Sequence, residues 1–388
     1  MAINFGNSEI DKIFFGSSQI DKVYKGSQLI YELSSPVAIG NTLYGWGLNS
    51  VYNLGLGHNT SPVIYAELIT FPNNLSGEIS DVFASSQVFA VINGDIYGWG
   101  NNVTTPTLIA DDDNWKHVRN YGQDIYAINQ NGELYHWTDS YSSRTQFSTI
   151  TNWDSLYGDY GAFFGVTTNG DVYAWGINGD YYLLGTGSSS KDYVATSPIL
   201  ILTDSSGIKK ISMTSLGVAL ITNDGKLYTW GSQYSYNLGD NRAASVNIYT
   251  PTRRSTFSDW TDISLIGSRC YGLRNGQIYV WGQMVNVGSN LSSTPTLLST
   301  IIPDVNNLNN NISSITAGGY VGGTTNNRAV LFAKRENSLI TYGLYNPTYP
   351  FLGFYDYSIP DLEVVNSTLK FDKIYIYGSF VFATTITG

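Results

Sequence analysis

The sequence predicts an all-β protein in which residues 35–388 form a seven-bladed β-propeller closed by an N-terminal strand. Residues 1–34 are predicted to form a separate, small N-terminal β-repeat module. Three observations predict this fold. The composition favours turns and strands, one strand-and-turn motif recurs through most of the chain, and the last repeat lacks a strand that is present near residue 44. Although 388 residues could form several domains, closed all-β folds often use more than 200 residues as one unit.

The composition is that of a strand-rich protein with many turns. Apolar residues make up 42% of the chain, enough to bury a large core, whereas only 13% of the residues are charged. The chain contains 40 glycines and 30 tyrosines, residues that favour turns and strands respectively. Runs of Ala, Leu, Glu and Lys with helical periodicity are absent, so numerous short strands are expected.

The recurring motif is Asn/Asp-Gly-x-(Leu/Ile/Val)-Tyr-x-Trp. Asn-Gly and Asp-Gly are strong hairpin signals, because both central positions of a type I′ turn require positive φ. Each copy therefore predicts a turn and the strand that follows it. Complete copies run over residues 93–99, 131–137, 169–175, 224–230 and 275–281, a shorter copy over 43–46 and a degenerate one over 337–342.

Three further segments accompany each motif. An apolar strand precedes the turn, as in Val88–Ile92, and another precedes that one, as in Ile79–Phe83. After the Trp come a loop of variable length and a segment with proline, as in Thr105–Leu108. Proline suits an outer strand, where no ladder donor is needed. Four short strands per repeat form the blade of a propeller.

The two ends of the propeller sequence are predicted to complete each other. The last strands, Lys373–Tyr377 and Phe380–Thr384, are not followed by a Leu-Tyr-Gly-Trp strand. Such a strand stands at Thr42–Trp46. Pairing of the two ends would remove the exposed sheet edges that invite aggregation.

These repeats resemble those of the regulator of chromosome condensation family, whose blades carry a Gly-x-(Val/Leu)-Tyr-x-Trp-Gly strand and a downstream Leu-Gly. Trp137 departs from the pattern because Thr138 follows it, and Tyr342 replaces the Trp of the degenerate copy. Family members serve as exchange factors, photoreceptors, enzyme inhibitors and scaffolds, so the resemblance implies a fold rather than one function. Trp-Gly stands at 46–47, 99–100, 175–176, 230–231 and 281–282, and Leu-Gly at 54–55, 184–185, 238–239 and 352–353.

The first 34 residues contain a different repeat, with a period of ten residues. Ile-Asp-Lys-Ile-Phe-Phe-Gly-Ser at 10–17 is followed by Ile-Asp-Lys-Val-Tyr-Lys-Gly-Ser at 20–27. Isolated strand pairs are marginal in water, so this module is expected to bury its apolar side against another surface. The predicted docking residues are Ile10, Ile13, Phe14, Phe15, Ile20, Val23 and Tyr24.

The ten-residue repeat is similar to segments near the N-termini of phage tail and virion proteins. The resemblance implies attachment of a distal domain to a particle, or the start of an oligomeric stem. The alternative is a small extra hairpin that packs on the propeller. Phe371–Tyr375 repeats the same motif within a blade, so the motif also fits ordinary blade strands.

Several classes of function are disfavoured. The net charge of −10 repels nucleic acid. Cys270 is the single cysteine, which excludes intrachain disulfides and multi-thiolate zinc sites, and no metal site or cofactor is predicted. No 18-residue apolar run predicts a membrane span, and no secretion signal is recognisable. No catalytic residues are assigned, because His58, His117 and His136 stand apart from any nucleophile motif, and an enzyme is not expected.

Tyrosines in the loops after the Trp strands are the candidate binding-rim residues. Loops on one rim of a rigid ring commonly bind partners, and Tyr gives a large contact area at low entropy cost. The repeated Trp residues, by contrast, are expected to pack in the core between blades. The candidate rim residues are Tyr52, Tyr181, Tyr182, Tyr234, Tyr236, Tyr345 and Tyr349.

These features predict a non-enzymatic phage virion or tail-associated protein, made in the host cytoplasm and located in the virion. The N-terminal module would bind other virion proteins, and the propeller would bind a host-surface glycan or protein or a neighbouring virion protein. The alternative is a free bacterial interaction scaffold or enzyme inhibitor. A nucleotide exchange factor is disfavoured by the acidic charge, and hydrolysis of surface glycans is the enzymatic alternative.

Overall fold

The computed structural model divides the chain into two units, Met1–Gly40 and Asn41–Ile386. The residues that the structure describes are 3–5, 8–10, 14–15, 18–19, 22–25, 28–32, 42–85, 87–138, 141, 143–234, 236–241, 246–283, 291–301, 311–321, 327–335, 338–343, 371–377 and 380–385.

The first unit contains three consecutive antiparallel strand pairs. Each pair spans a Gly-Asn or Gly-Ser dipeptide of the sequence, so that Phe5 pairs with Ser8, Phe15 with Ser18, and Lys25 with Gln28. The ten-residue period therefore corresponds to one hairpin per repeat. The strands are β1 (Ile3–Phe5), β2 (Ser8–Ile10), β3 (Phe14–Phe15), β4 (Ser18–Gln19), β5 (Lys22–Lys25) and β6 (Gln28–Glu32).

The second unit is a β-propeller. Two short helical segments, a 3-10 turn at Pro72–Asn74 and an α-helical turn at Leu298–Ile301, interrupt its strands. The strands are β7 (Leu43–Gly47), β8 (Val63–Leu68), β9 (Ile79–Ala84), β10 (Val88–Ile92), β11 (Asp95–Gly100), β12 (Val103–Ala110), β13 (Trp115–Tyr121), β14 (Asp124–Asn129), β15 (Leu134–Trp137), β16 (Arg144–Gln146), β17 (Trp153–Asp159), β18 (Ala162–Thr167), β19 (Asp171–Ile177), β20 (Val194–Thr203), β21 (Ile208–Met213), β22 (Gly217–Thr222), β23 (Lys226–Gly231), β24 (Ile248–Ser258), β25 (Trp260–Ile266), β26 (Arg269–Arg274), β27 (Gln277–Gln283), β28 (Leu291–Leu297), β29 (Ser314–Val321), β30 (Asn327–Arg335), β31 (Ser338–Gly343), β32 (Phe371–Tyr377) and β33 (Phe380–Thr385).

The propeller has six four-stranded blades among the described residues, so the prediction of seven blades is wrong. The six blades are β9–β12, β13–β16, β17–β20, β21–β24, β25–β28 and the sheet β32-β33-β7-β8. The degenerate motif copy at 337–342 falls in a sheet of three strands, β29–β31, which has no outer strand in the described part of the chain. The reason is that one motif copy indicates a turn and one strand, which does not ensure the four strands of a complete blade. Residues 344–370 lie outside the described residues.

The ring closes through the pairing of the chain ends, as predicted. In the closing blade β33 pairs antiparallel with β7, with Phe382 opposite Gly45 and Thr384 opposite Leu43. At the end of this ladder the Thr42 and Thr385 hydroxyls are 2.6 Å apart, and the Thr385 N–H donates to the Thr42 carbonyl. Both ends of the propeller therefore share one sheet.

The hairpin turns of the motif copies fall into two classes. Asn93-Gly94 and Asn275-Gly276 have positive φ at both positions and form two-residue loops, as a type I′ turn requires. The other three complete copies use longer loops in which the Gly alone has positive φ, as at Gly132, Gly170 and Gly225. The dipeptide therefore predicts the hairpin, while the loop length differs between blades.

The motif tryptophans form the core between sheets, as predicted. Trp46, Trp99, Trp137, Trp175, Trp230 and Trp281 are all buried. Burial of such large side chains removes a large apolar area from water, and aromatic pairs add specific edge contacts.

Candidate binding site in the central cavity

The inner strands of the six blades and of the three-stranded sheet surround a central cavity. These strands are β9, β13, β17, β21, β25, β29 and β32, each in contact with the next around the ring. The cavity has a volume of about 1560 Å³ and is lined by side chains from all of them. Alternate residues of an inner strand point into the cavity because strand side chains alternate between faces.

Charged residues at one end of the cavity are paired with each other across neighbouring sheets. Lys210 Nζ lies 2.7 Å from Asp262 Oδ1, and Lys334 Nζ lies 3.2 Å from Asp372 Oδ1. The carboxylate of Asp262 also accepts the backbone N–H of Ile315 at 2.8 Å, which ties β25 to β29. These pairs hold neighbouring sheets together.

A third charged group, at Asp81, is more deeply buried. Its carboxylate accepts hydrogen bonds from the Arg119 guanidinium and from the backbone N–H of Val118 at 3.1 Å, and it contacts His117 at 3.3 Å. Burial alone would raise the pKa of Asp81, but the charge of Arg119 and the contact with His117 outweigh burial and hold the pKa well below its ordinary value. Asp81 therefore stays ionised and joins β9 to β13.

The opposite end of the cavity is rimmed by exposed tyrosines. Tyr121 ends β13, and Tyr160 lies in the turn after β17. Tyr181 and Tyr234 lie in the loops that follow Trp175 and Trp230. All four line the cavity and expose 42%, 45%, 39% and 54% of their surface, respectively. Large apolar faces are thus available to a partner at the cavity mouth.

The interior of the cavity has two chemically different walls. The aromatic wall comes from consecutive sheets, whose inner strands are β32, β9, β13 and β17, and the hydroxyl wall comes from β21, β25, β29 and the turns that follow β21 and β25. The two walls face each other across the cavity, because the first wall spans four neighbouring inner strands and the second wall spans the other three. The aromatic wall comprises Phe83, Tyr121, Tyr157, Tyr160, Tyr375 and Tyr377, and the hydroxyl wall comprises Ser212, Thr214, Ser264, Ser268 and Thr316.

The predicted rim tyrosines separate into two groups. Tyr181 and Tyr234 line the cavity mouth. Tyr52, Tyr182 and Tyr236 instead adopt positive φ at equivalent loop positions, two residues before a Leu-Gly pair. Their left-handed backbone conformation contributes to the shape of the loops. Tyr345 and Tyr349 lie outside the described residues.

Tyr121 and Tyr160 are not among the rim residues that the sequence predicts. Both lie at the turn between the first two strands of a blade, whereas the candidate residues were chosen from loops after the Trp strands. Strand alternation was the available signal. Tyr121 follows the cavity-facing residue Arg119 by two positions, and Asp159, directly before Tyr160, follows the cavity-facing residue Tyr157 by two positions. In a propeller blade this turn and the loop between the third and fourth strands lie at the same end of the antiparallel sheet.

The loops that follow the Trp strands are held in place by contacts at their Leu-Gly pairs. In the loop after Trp175, Leu184 is fully buried, and the Trp230 indole N–H of the next blade donates to the Leu183 carbonyl at 2.7 Å. Gly185 has φ of +68°, and an added Cβ would lie 2.8 Å from Trp230 Nε1. The same arrangement joins Gly55 to Trp99 and Gly239 to Trp281. Each such loop therefore locks one blade to the next.

Other predicted sites are less informative. Of the docking residues, Ile10, Phe14, Phe15, Val23 and Tyr24 lie in described strands, whereas Ile13 and Ile20 lie outside them. His58, His117 and His136 each contact a carboxylate, of Glu67, Asp81 and Asp124 respectively. No group of three or more His, Cys, Asp or Glu side chains suited to a metal ion occurs among the described residues. In the same part of the chain, no helix has both the length and the apolar character needed to cross a bilayer.

The chain is similar in fold to several proteins of known structure. No family model and no curated protein sequence matches the chain. Among solved structures, yeast (Saccharomyces cerevisiae) Prp20p aligns with 16% identity over 90% of this chain and 92% of its own, with a TM-score of 0.70. The chain has the fold of the RCC1-like β-propellers. Yeast RCC1 (Prp20) bound to Kap60 gives 15% identity over 90% and 89%, with a TM-score of 0.70.

Human WBSCR16 is similar to the same extent, with 12% identity over 90% of this chain and 99% of its own and a TM-score of 0.69. At such identities the likeness shows the RCC1-like fold and no particular function. Prp20p is described for its binding to Gsp1p and histones. The phage tail and virion resemblance of the N-terminal repeat finds no counterpart among these structures.

Proposed function

We propose that this protein is a non-enzymatic, virion- or tail-associated binding protein with an RCC1-like propeller. In this proposal the hairpin repeats of residues 1–34 dock it to other virion proteins. The propeller binds a host-surface molecule or a neighbouring virion protein at the tyrosine-rimmed end of its cavity. The observation that carries the proposal is the division of the chain into a repeat unit and a closed ring with exposed aromatic side chains at one end.

The physical chemistry of both units supports this division of labour. Short isolated hairpins bury too little surface to be stable in water, so a repeat of three hairpins gains stability by binding another surface. The propeller needs no such partner, because the pairing of β33 with β7 completes its last blade and closes the ring. Its exposed tyrosines are therefore available for recognition rather than required for folding.

The test compares particle association of the full chain with that of a variant lacking residues 1–34. Tagged protein would be supplied during particle assembly, and particles would be separated on a density gradient. We expect the full chain to co-migrate with particles and the truncated variant to stay unbound, with thermal unfolding of both near the same temperature. A Leu200→Ala variant of the full chain, changed at an exposed side chain on the outer strand β20, is the matched control and should still associate.

Two results would contradict the proposal. Equal association of the full and truncated chains would show that the repeats do not dock. Absence of the full chain from particles, together with recovery of a soluble partner protein, would favour a free interaction scaffold. That second function is favoured by the structural likeness to Prp20p, which is described for its binding to other proteins.

A further inference from the structure

We infer that the central cavity binds an uncharged oligosaccharide, with sugar rings stacked on the rim tyrosines and sugar hydroxyls bonded to the hydroxyl wall. This inference rests on the proposed function and names the host-surface molecule as a glycan. It comes from three properties of the cavity, namely its size, its two walls and its charge.

The size of the cavity suits a chain of sugars. Pockets for ordinary small molecules enclose roughly 300 to 1,000 Å³. The volume here is about 1560 Å³, and the cavity extends from the paired charges to the tyrosine rim. A single sugar would fill only a small part of it, whereas several linked sugars would contact both the rim and the interior.

The two walls match the two kinds of surface on a sugar ring. The faces of a pyranose expose C–H groups that pack on aromatic rings, whose faces carry partial negative charge. The edges carry hydroxyl groups that both donate and accept hydrogen bonds. Tyr160 and Tyr234 offer exposed rings at the mouth, and the hydroxyl wall offers polar partners within.

Two serines of the hydroxyl wall are already oriented by the backbone. Ser212 Oγ accepts the N–H of Leu265 at 3.0 Å, and Ser264 Oγ accepts the N–H of Ala317 at 2.8 Å. A serine hydroxyl that accepts such a bond still has a hydrogen to donate. Because each Oγ is held by the neighbouring sheet, these donors are positioned before a ligand arrives, which lowers the entropy cost of binding.

The charges in the cavity favour an uncharged ligand. The cations of Arg119, Lys210 and Lys334 are paired with carboxylates, so they offer little attraction for a phosphate or a sugar acid, whereas Lys373 also lines the cavity without an ion pair among the described residues. Asp159 lines the cavity near the rim, and no lysine or arginine is among the groups that shift its pKa. The net charge of −10 adds to the repulsion of anions.

The experiment is a binding screen of the full-length chain on a printed array of bacterial surface oligosaccharides, both neutral and acidic. Positive compounds would then be titrated in solution. We expect binding to neutral oligosaccharides, weakened about tenfold or more by Tyr160→Ala and by Tyr234→Ala because each loses a stacking surface. Leu200→Ala removes an exposed side chain on the outer strand β20 and should leave binding unchanged.

The outcomes separate this inference from the proposed function. Glycan binding that is lost in both tyrosine variants supports the inference whether or not the chain is found on particles. No binding to any oligosaccharide, with particle association intact, overturns the inference and leaves the proposed function standing. Preferential capture of acidic oligosaccharides, or of members of a random peptide library competed by the same tyrosine substitutions, would also overturn it.

Discussion

The environment of Asp159 shows how a single residue at the cavity rim responds to burial. Asp159 is half-buried, and its carboxylate accepts the backbone N–H of Tyr160 at 2.7 Å. Burial raises the pKa of Asp159 from 3.8 to about 6, and the hydrogen bond offsets only part of this effect. The same carboxylate contributes, with burial, to a pKa of about 12 for Tyr160. The charge of Asp159 therefore affects the ionisation of Tyr160.

This shift predicts a pH-dependent contribution to stability. Since the folded-state pKa lies above the unfolded value, the folded state binds more protons between about pH 4 and pH 6, and stability falls as pH rises through that window. Relative to Asp159→Asn, the wild-type free energy of unfolding should fall by on the order of 1 kcal/mol from pH 4 to pH 7. Urea unfolding at a series of pH values measures this difference.

The control for that prediction is Asp180→Asn, which replaces a carboxylate whose side chain is 71% exposed. This variant should follow the wild-type pH dependence. If wild type and Asp159→Asn showed parallel curves over the whole range, burial of Asp159 would have no energetic consequence.

At the scale of the element, the loop that carries the Leu-Gly pair joins one blade to the next. The amide of Asn178 organises one such loop, accepting the N–H of Leu184 at 3.2 Å and donating to the Ser190 carbonyl at 2.7 Å. Asn49 acts in the same way on Leu54 and His58 in the closing blade. Gly then lies against the indole of the next blade, where a side chain would not fit.

Gly185→Ala tests this packing, and Gly179→Ala is its matched control in the same loop. The two glycines have φ of +68° and +65°, so both substitutions carry the left-handed backbone penalty of about 1 kcal/mol. A Cβ added to Gly179 would have nothing within 4 Å, whereas a Cβ on Gly185 would clash with Trp230. Gly185→Ala should therefore cost a further ~1–3 kcal/mol, measured by chemical denaturation. Equal costs would mean that the glycine–indole contact is not tight.

The elements were predictable to different degrees. Val88–Ile92 and its partner strand follow from the apolar run and the Asn-Gly turn, because both signals are local. Tyr52 and Tyr182 are predicted rim residues because they stand in loops, and the structure gives both a positive φ at equivalent positions of those loops. Backbone conformation at a tyrosine has no clear signal in one sequence.

At the scale of the whole molecule, closure was predictable and the blade count was not. The missing strand after Phe380–Thr385 and the spare strand at Leu43–Gly47 form a complementary pair that the sequence displays directly. A degenerate copy such as 337–342 gives no such guarantee of four strands, and its sheet has three in the described part of the chain. The two cavity walls were not predictable, because they arise only when distant inner strands meet around the ring.

The closure of the ring is tested most directly by the double variant Thr42→Cys/Thr385→Cys. The two hydroxyl oxygens are 2.6 Å apart, so cysteines at these positions should form a disulfide under mild oxidation without backbone movement. Cys270 is buried and should not compete. A bond across 343 positions should stabilise the oxidised protein by up to about 5 kcal/mol over the reduced protein in chemical denaturation. Two free thiols that persist after oxidation, each as exposed as in the single variants, would contradict a closed propeller.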